Sequence, residues 1–439
     1  MAHPIPPSLI QKIRQHTAHV GVIGLGYVGL PLAVEFAKRG YPTVGIDVDE
    51  ARVKTLNQGT SYIADVPQEE IASLVASGTL KGTTRYEALQ DLDGVVICVP
   101  TPLRKTREPD ISYIVAAAEA LAKHLHRYQV IILESTTYPG TTEEVILPLL
   151  EKKGLAVGKD FFLGFSPERI DPGNPEYATT SIPKVVSGVT PACCQVIQLL
   201  YGEVIQKVIP VSSTRVAEMV KLLENTFRSV NIGLVNELAR MCHRMGVDVW
   251  EVIDAAKSKP FGFMAFYPGP GLGGHCIPID PLYLSWKAKS YGFEPRFIEL
   301  SSQVNSSMPE YVVERIAQTL NGQGKALKGS QLLILGVAYK RDVSDIRESP
   351  AMEIIQQLKN HGARVQYHDP FVPSFTLNGT IHRCVSLTKS ALAKAQCVVI
   401  VTDHQSIDYA LVLAHARRIL DTRNALRKWK SSPQRVVKL

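Results

Sequence analysis

The stretch His19–Pro31 reads HVGVIGLGYVGLP. A short apolar run meets three glycines, Gly24, Gly26 and Gly29, spaced as GxGxxG, and a helical pattern follows over Pro31–Lys38. YPTVGID then gives a second strand that ends at Asp47. In a βαβ unit the first glycine permits a tight turn and the second lets a pyrophosphate lie on the backbone at a helix N-terminus. The third lets helix and strand pack closely. Asp47 stands 21 residues after Gly26, where a carboxylate accepts from the adenosine ribose hydroxyls and repels the extra phosphate of NADP. A glycine-rich turn alone would say little. Strand, glycines, helix, strand and acid in register predict a dinucleotide-binding unit that takes NAD.

The strand–helix alternation continues, which predicts an α/β fold. DGVVICVPTP (93–102) is a buried strand ending at Thr101 and Pro102. YQVIILESTTYPGT (128–141) is another, ending at Ser135 and Thr136, with a helix from about Thr141 whose Glu144 would close a capping box. FFLGFSPERIDPGN (161–174) runs from a strand into a polar loop that carries Glu168. Ligands of an open parallel sheet bind beyond the carboxyl ends of its strands. Thr101, Thr136 and Glu168, each an ordinary turn or cap residue by itself, then outline one crevice. From about residue 328 the pattern restarts with LLILGVAYK (332–340), a helix SPAMEIIQQLKNHG (349–362) and strands ARVQYHDP (363–370) and AQCVVIVTDH (395–404). This second, smaller doubly wound unit lacks GxGxxG, so no second dinucleotide is expected there. Its loop YKRDVSDIRESP places Lys340, Arg341 and Arg347 past the first strand, where cations suit a diphosphate.

Between the two halves, Ser213–Gly246 contains no proline and one interior glycine. Val216, Val220, Leu223, Phe227, Val230, Leu234, Leu238, Met241 and Met245 recur at helical period, which predicts one helix of roughly 50 Å. That apolar stripe reads as core or interface. Lys221 and Asn225, four apart, share a different face. They are either an exposed polar face or a donor pair for an oxyanion.

Phe266–Asp280 reads FYPGPGLGGHCIPID. Gly269, Gly271, Gly273 and Gly274, with Pro268 and Pro270, lead into Cys276. This is either a connector with an inert thiol or a rigid loop that holds a nucleophile, with Asp280 as its ionisable companion.

The chain has 439 residues, enough for two or three domains, with 45% hydrophobic and 20% charged residues. A net charge of +7 suits anionic small substrates, and no basic run points to nucleic acid. Seven cysteines without a CxxC pair or Cys/His spacing imply a reduced cytoplasmic set and no metal site. Residues 1–18 lack the apolar core of a signal peptide, and no run reaches the roughly 18 apolar residues of a membrane span.

Taken in order, GVIGLGYVGLP, the STT strand end, SPER, the Lys221/Asn225 helix, GPGLGGHCIPIDP and YKRDVSDIRESP resemble the nucleotide-sugar dehydrogenases, the UDP-glucose/GDP-mannose dehydrogenase family. The resemblance implies two Rossmann-like doubly wound domains joined by a long central helix and a helical dimerisation region. The implied parts are 1–210 for NAD, 211–310 for dimerisation and the cysteine loop, and 311–439 for the UDP-sugar. It implies four-electron oxidation of a sugar primary alcohol to a carboxylate with two NAD. Cys276 would be the nucleophile, Lys221 and Asn225 the oxyanion donors, and Asp280 with Thr136 the managers of the first proton. Glu168 would direct water. Gly24, Gly26, Tyr27, Val28, Gly29, Asp47, Arg52, Thr101, Thr136 and Arg347 would contact the cofactor. Glu168, Arg169, Lys221, Asn225, Gly273 and Lys340 would contact the substrate, and the chain would form a homodimer or higher homo-oligomer. UDP-glucose enzymes carry FLREG or FLAEG after SPE and GGSCFPKD at the cysteine; here Pro172 replaces the second glutamate and Ile279 the lysine. Those departures direct the expectation to UDP-N-acetylglucosamine, with UDP-N-acetylmannosamine and then UDP-glucose as alternatives. A two-electron hydroxyacid dehydrogenase would need no cysteine. A non-catalytic NAD-binding regulator would need none of Cys276, Lys221, Asn225 and Asp280.

Overall fold

The structure is a computed structural model that describes residues 5–63, 66–170, 179–429 and 435–439. The chain forms two compact units, Met1–Glu224 with Leu282–Gly292, and Asn225–Pro281 with Phe293–Leu439.

In the first unit, strands β1 (Val20–Ile23), β2 (Thr43–Ile46), β3 (Leu80–Thr83), β4 (Gly94–Ile97), β5 (Val130–Leu133), β6 (Phe162–Phe165), β7 (Lys184–Gly188) and β8 (Val208–Pro210) form one sheet. Its order is β3-β2-β1-β4-β5-β6-β7-β8, and every pair is parallel except β6 with β7. A parallel sheet is covered on both faces, so its central strands read as unbroken apolar runs. Alternation then sends neighbours to opposite layers. Val20, Val22, Val96 and Ile132 pack under the helices Gly29–Lys38 and Pro191–Gly202, while Ile23, Ile46, Val95, Ile97 and Ile131 pack under Ser112–His124.

Local details depart from the sequence reading in two places. The helix after the glycine turn begins at Gly29, two residues before Pro31. The expected capping box at Thr141 and Glu144 does not form. Thr141 is itself helical, its hydroxyl donates to the Tyr138 carbonyl, and Glu144 pairs with Lys287. The N-terminus is instead capped by Glu218, whose buried carboxylate accepts from the amides of Gly140 and Thr142 at 2.5 and 2.9 Å. A carboxylate at a helix N-terminus satisfies orphan amides and complements the dipole. Glu218 lies 76 residues from Thr142, beyond the reach of a local motif.

The second unit repeats the plan. Strands β9 (Gln331–Leu335), β10 (Arg364–His368), β13 (Cys397–Ile400), β14 (Ile419–Asp421) and β15 (Val436–Lys438) form a parallel sheet of order β10-β9-β13-β14-β15. Between them, β11 (Ser374–Leu377) and β12 (Thr380–Arg383) make a hairpin. The helix Pro350–Asn360 keeps its expected ends: Ser349 accepts from the Ala351 amide, proline sits at the first position, and Gly362 follows at φ +81°.

The helix Thr214–Met245 has the expected length but an inverted cross-section. Val216, Leu223, Phe227, Leu234, Met241 and Met245 are exposed, whereas Glu218, Lys221, Asn225, Ser229 and Asn236 are buried. Lys221 and Asn225 therefore do not belong to an exposed polar face, and most of the apolar stripe is not core, although its Val220 and Leu238 pack against hydrophobic clusters. The period fixes the helix; which face turns inward depends on partners for the polar groups.

The glycine turn yields a test. Gly24 sits at φ +91°, and a Cβ there would lie 2.4 Å from the Cys98 carbonyl oxygen, whereas a Cβ at Gly26 would meet nothing within 4 Å. Gly24→Ala is expected to destabilise the first unit by about 2 kcal/mol or more. Gly26→Ala should leave its unfolding midpoint unchanged while weakening NAD. Thermal unfolding and NAD titration of both variants check this; equal stabilities would contradict it.

Candidate active site

In the first unit the candidate residues gather along one edge because they follow the carboxyl ends of neighbouring parallel strands. Gly24 follows β1, Asp47 β2, Thr101 β4, Thr136 β5 and Glu168 β6. Gly26 opens onto free space in front of the helix at Gly29. That is a cradle a side chain would fill, and it fits a pyrophosphate. Tyr27 is exposed and Val28 forms the helix cap beside it. Asp47 is 6% exposed; one oxygen accepts from the Leu25 amide at 2.7 Å and the other from Asp49 at 2.9 Å. Arg52 reaches Asp47 at 3.5 Å and Asp49 at 3.4 Å. The Thr101 turn is anchored by the Tyr283 hydroxyl, which donates to the carbonyls of Thr101 and Pro102. Thr136 is half-buried in an otherwise buried run, while Ser135 before it accepts from the Val99 amide.

Glu168 is buried, and both of its oxygens are hydrogen-bonded. One oxygen accepts from the amides of Arg169 and Ile170 at 2.7 and 2.8 Å, the other from Lys184 at 3.0 Å. Lys184 also pairs with Glu134 at 2.9 Å, and the Tyr201 hydroxyl donates to that same carboxylate. The topology explains the meeting. Because β7 runs antiparallel to β6, its first residue, Lys184, arrives at the edge where β5 and β6 end. Arg169 makes a forked pair with Glu224 and donates to the Pro183 carbonyl. Lys221 is 9% exposed, and its charge acts on Glu168 and Cys98. Burial alone would raise the Glu168 carboxyl, but Lys184, with Lys221 and the Ile170 amide, holds it below the usual carboxylate range. Burial raises Glu134 against the attraction of Lys184. Removing one member of such a buried set costs about 3–5 kcal/mol.

In the second unit the cysteine loop is locked against the loop 336–349. The Gly274 amide donates to the Arg347 carbonyl at 3.1 Å. A Cβ at Gly273 would lie 2.6 Å from Tyr339 Cβ and 2.9 Å from the Glu348 carbonyl oxygen, so only glycine allows this approach. The Gly269 amide donates to Asn236. Beyond the loop Cys276 is exposed, its carbonyl accepts from the Asp280 amide at 2.8 Å, and Asp280 is buried at the start of the helix Asp280–Ser290. Asn225 donates to the Asp280 carboxylate at 2.6 Å. The two separate sequence motifs, FYPGPGLGGHCIPID and YKRDVSDIRESP, are thus one packed assembly in space. Lys340 is half-buried, and Arg347 forks onto Asp345 at 2.6 Å. Arg423 donates to the Val401 carbonyl, and a Cβ at Gly269 would lie 2.6 Å from its guanidinium.

Glu134, Lys184, Tyr201, Glu218 and Arg423 escape sequence reading. The available signal was a charge ending or opening an apolar strand, as in VIILE and PKVVSG. Pro172 lies outside the described residues.

The Asp47 geometry generates one expectation. A carboxylate fixed by two amides cannot swing away from a ribose phosphate, so NADP should bind at least roughly tenfold more weakly than NAD, about 1.4 kcal/mol. Titration of both nucleotides measures it, and equal affinities would overturn the placement of Asp47 at the ribose.

Residues 18–205 match the NAD binding domain of the UDP-glucose/GDP-mannose dehydrogenase family, 215–307 its central domain and 333–428 its UDP binding domain. The chain is 40% identical to UDP-N-acetyl-D-glucosamine 6-dehydrogenase of Pseudomonas aeruginosa over 80% of this chain and 83% of the relative. It is 37% identical to the Salmonella typhi protein of the same name over 80% and 82%. The structure of the UDP-N-acetylmannosamine dehydrogenase from Pyrococcus horikoshii superposes with a TM-score of 0.86 at 32% identity, covering 96% of this chain and 98% of that one. Among the described residues no helix is long and apolar enough to cross a membrane. With its glycine cradle, its cysteine loop and all three domains of one family matched in order, the chain belongs to the UDP-glucose/GDP-mannose dehydrogenase family.

Proposed function

We propose that this NAD-dependent oxidoreductase converts the sugar primary alcohol of UDP-N-acetylglucosamine to the uronate through a thioester on Cys276, for synthesis of a surface polysaccharide precursor. The observation that carries the reading is the cysteine loop. Cys276 stands exposed beyond a stretch pinned by Gly273, Gly274 and the Arg347 carbonyl, with Asp280 buried behind it and held by Asn225. NAD supplies the hydride acceptor for both oxidations. After the first oxidation the aldehyde must become tetrahedral before a second hydride can leave, and the Cys276 sulfur supplies that bond as a thiohemiacetal. Asp280, with Thr136 and a water, takes the first proton. Lys221 and Asn225 hold the oxyanion, and a nearby ammonium also favours the thiolate. Glu168 directs the water that releases the carboxylate. Thr101 and Arg52 border the cofactor, Arg347 touches it, and Arg169, Gly273 and Lys340 border the substrate.

In this reading residues 1–210 hold NAD, 211–310 pair two copies, and 311–439 hold the UDP-sugar. The exposed row Val216, Leu223, Phe227, Leu234, Met241 and Met245 supports pairing, since contiguous apolar surface of this kind marks interfaces. Seven unbridged cysteines support a cytoplasmic setting.

The N-acetylglucosamine assignment is supported by relatives of that name at 40% and 37% identity. It is also supported by Pro172 and Ile279, which stand where UDP-glucose enzymes carry charged side chains. A site with polar groups committed to the acetamide rejects glucose, because those groups would be left unpaired. UDP-N-acetylmannosamine is the second reading, favoured by the neighbour at a TM-score of 0.86.

Catalytic efficiency on the three UDP-sugars, measured side by side, should be highest for UDP-N-acetylglucosamine. A higher value for either other sugar would overturn the specificity and leave the chemistry intact. Cys276→Ser should abolish carboxylate formation, because an oxygen ester hydrolyses less readily than a thioester. Full carboxylate yield from that variant, read by mass spectrometry of the product, would exclude the nucleophile.

A further inference from the structure

We propose that Lys184 is a positioning residue for the hydrolytic step: held between Glu134 and Glu168, it fixes the Glu168 carboxylate as an ion aimed for proton transfer. The inference rests on the reading of Glu168 as the group that directs water.

The geometry is specific. The Lys184 ammonium lies 3.0 Å from Glu168 and 2.9 Å from Glu134, and all three side chains are at most 7% exposed. Buried charges are tolerated when paired and fully hydrogen-bonded. Here the pairing is shared, since one cation serves two carboxylates. Glu134 is held in turn by the Tyr201 hydroxyl, and the Cys98 thiol points at it from 4.0 Å. The aromatic face of Tyr201 lies 5.2 Å from the ammonium. Among the described residues, the charged and polar groups around Glu168 are Lys184 on β7, Glu134 after β5, Cys98 after β4, Lys221 on the long helix, Tyr201 on the helix Pro191–Gly202, and the amides of Arg169 and Ile170. Lys184 and Lys221 outweigh burial and keep the carboxyl below its usual range.

In hydrolysis the water oxygen bonds to the acyl carbon, one water proton passes to Glu168, and the C–S bond breaks to return the Cys276 thiolate and the sugar acid. Glu168 must be ionised to accept that proton. The acid limb of the deacylation rate therefore follows Glu168, and the two partners of Lys184 move that limb in opposite directions. Without the lysine the buried carboxyl rises. Without Glu134 the lysine serves Glu168 alone, a like charge disappears, and the carboxyl falls.

The test measures deacylation of the Cys276 thioester in the NAD-loaded enzyme across pH, with the best of the three UDP-sugars. Intact-protein mass spectrometry gives the acyl-enzyme fraction, and thermal unfolding is followed in parallel. Lys184→Met should move the acid limb upward by roughly 1–3 pH units and accumulate acyl-enzyme. Glu134→Gln should move the limb downward, and Lys184→Arg should restore its position. If Lys184→Met does not fold, the downward shift in Glu134→Gln decides alone. Glu168→Gln should slow deacylation by roughly 10² or more; full-rate deacylation there would overturn the role of Glu168 itself. A slow Glu168→Gln together with an unmoved limb in the Glu134 and Lys184 variants would leave that role standing and overturn the one assigned to Lys184.

Discussion

In both units an aspartate at the end of one strand accepts the amides that follow the neighbouring strand. Asp47, after β2, takes the Leu25 amide at 2.7 Å; Asp369, after β10, takes those of Val337 and Ala338 at 2.7 and 3.0 Å. Each tie closes a turn whose glycine touches a third strand end. A Cβ at Gly24 would lie 2.4 Å from the Cys98 carbonyl oxygen, and one at Gly336 would lie 2.3 Å from that of Thr402. The strand orders β2-β1-β4 and β10-β9-β13 match as well. The two turns differ in what they leave open. Gly26 faces free space, whereas Asp369 is sealed by a third partner, His404 at 3.0 Å, with the Phe371 amide on its other oxygen. The same backbone device thus builds a dinucleotide cradle in one unit and a closed turn in the other.

Much of this architecture was legible in the sequence because a parallel sheet buried on both faces leaves plain marks. Apolar runs ended at Thr101, Thr136 and Glu168, and the ends of the helix Pro350–Asn360 followed from proline and glycine. The strand-end position of Asp47 was legible because it stands at a fixed spacing from Gly26. The buried face of the helix Thr214–Met245 was not. Its polar residues are satisfied by groups distant in sequence, such as Asp280 for Asn225 and Asn305 for Asn236, and periodicity carries no sign. The capping of residues 140–142 by Glu218 and the Glu134–Lys184–Glu168 set escaped for the same reason. Lys184 meets Glu134 only because β7 runs antiparallel to β6.

Electrostatics gives these distant pairings a common purpose. Opposite charge and backbone amides keep Glu168 ionised in a buried position, and a neutral amide holds Asp280. Preorganised partners of this kind cost little reorganisation when charge develops. In the proposed mechanism they also separate duties: the glycines of the cysteine loop set position, while the buried ionic set governs protonation.

The most direct measurement is the number of NADH formed per UDP-N-acetylglucosamine when a limiting amount of sugar nucleotide is consumed to completion with excess NAD. A thioester route through Cys276 gives two NADH and one carboxylate. One NADH with accumulation of aldehyde would contradict the cysteine chemistry.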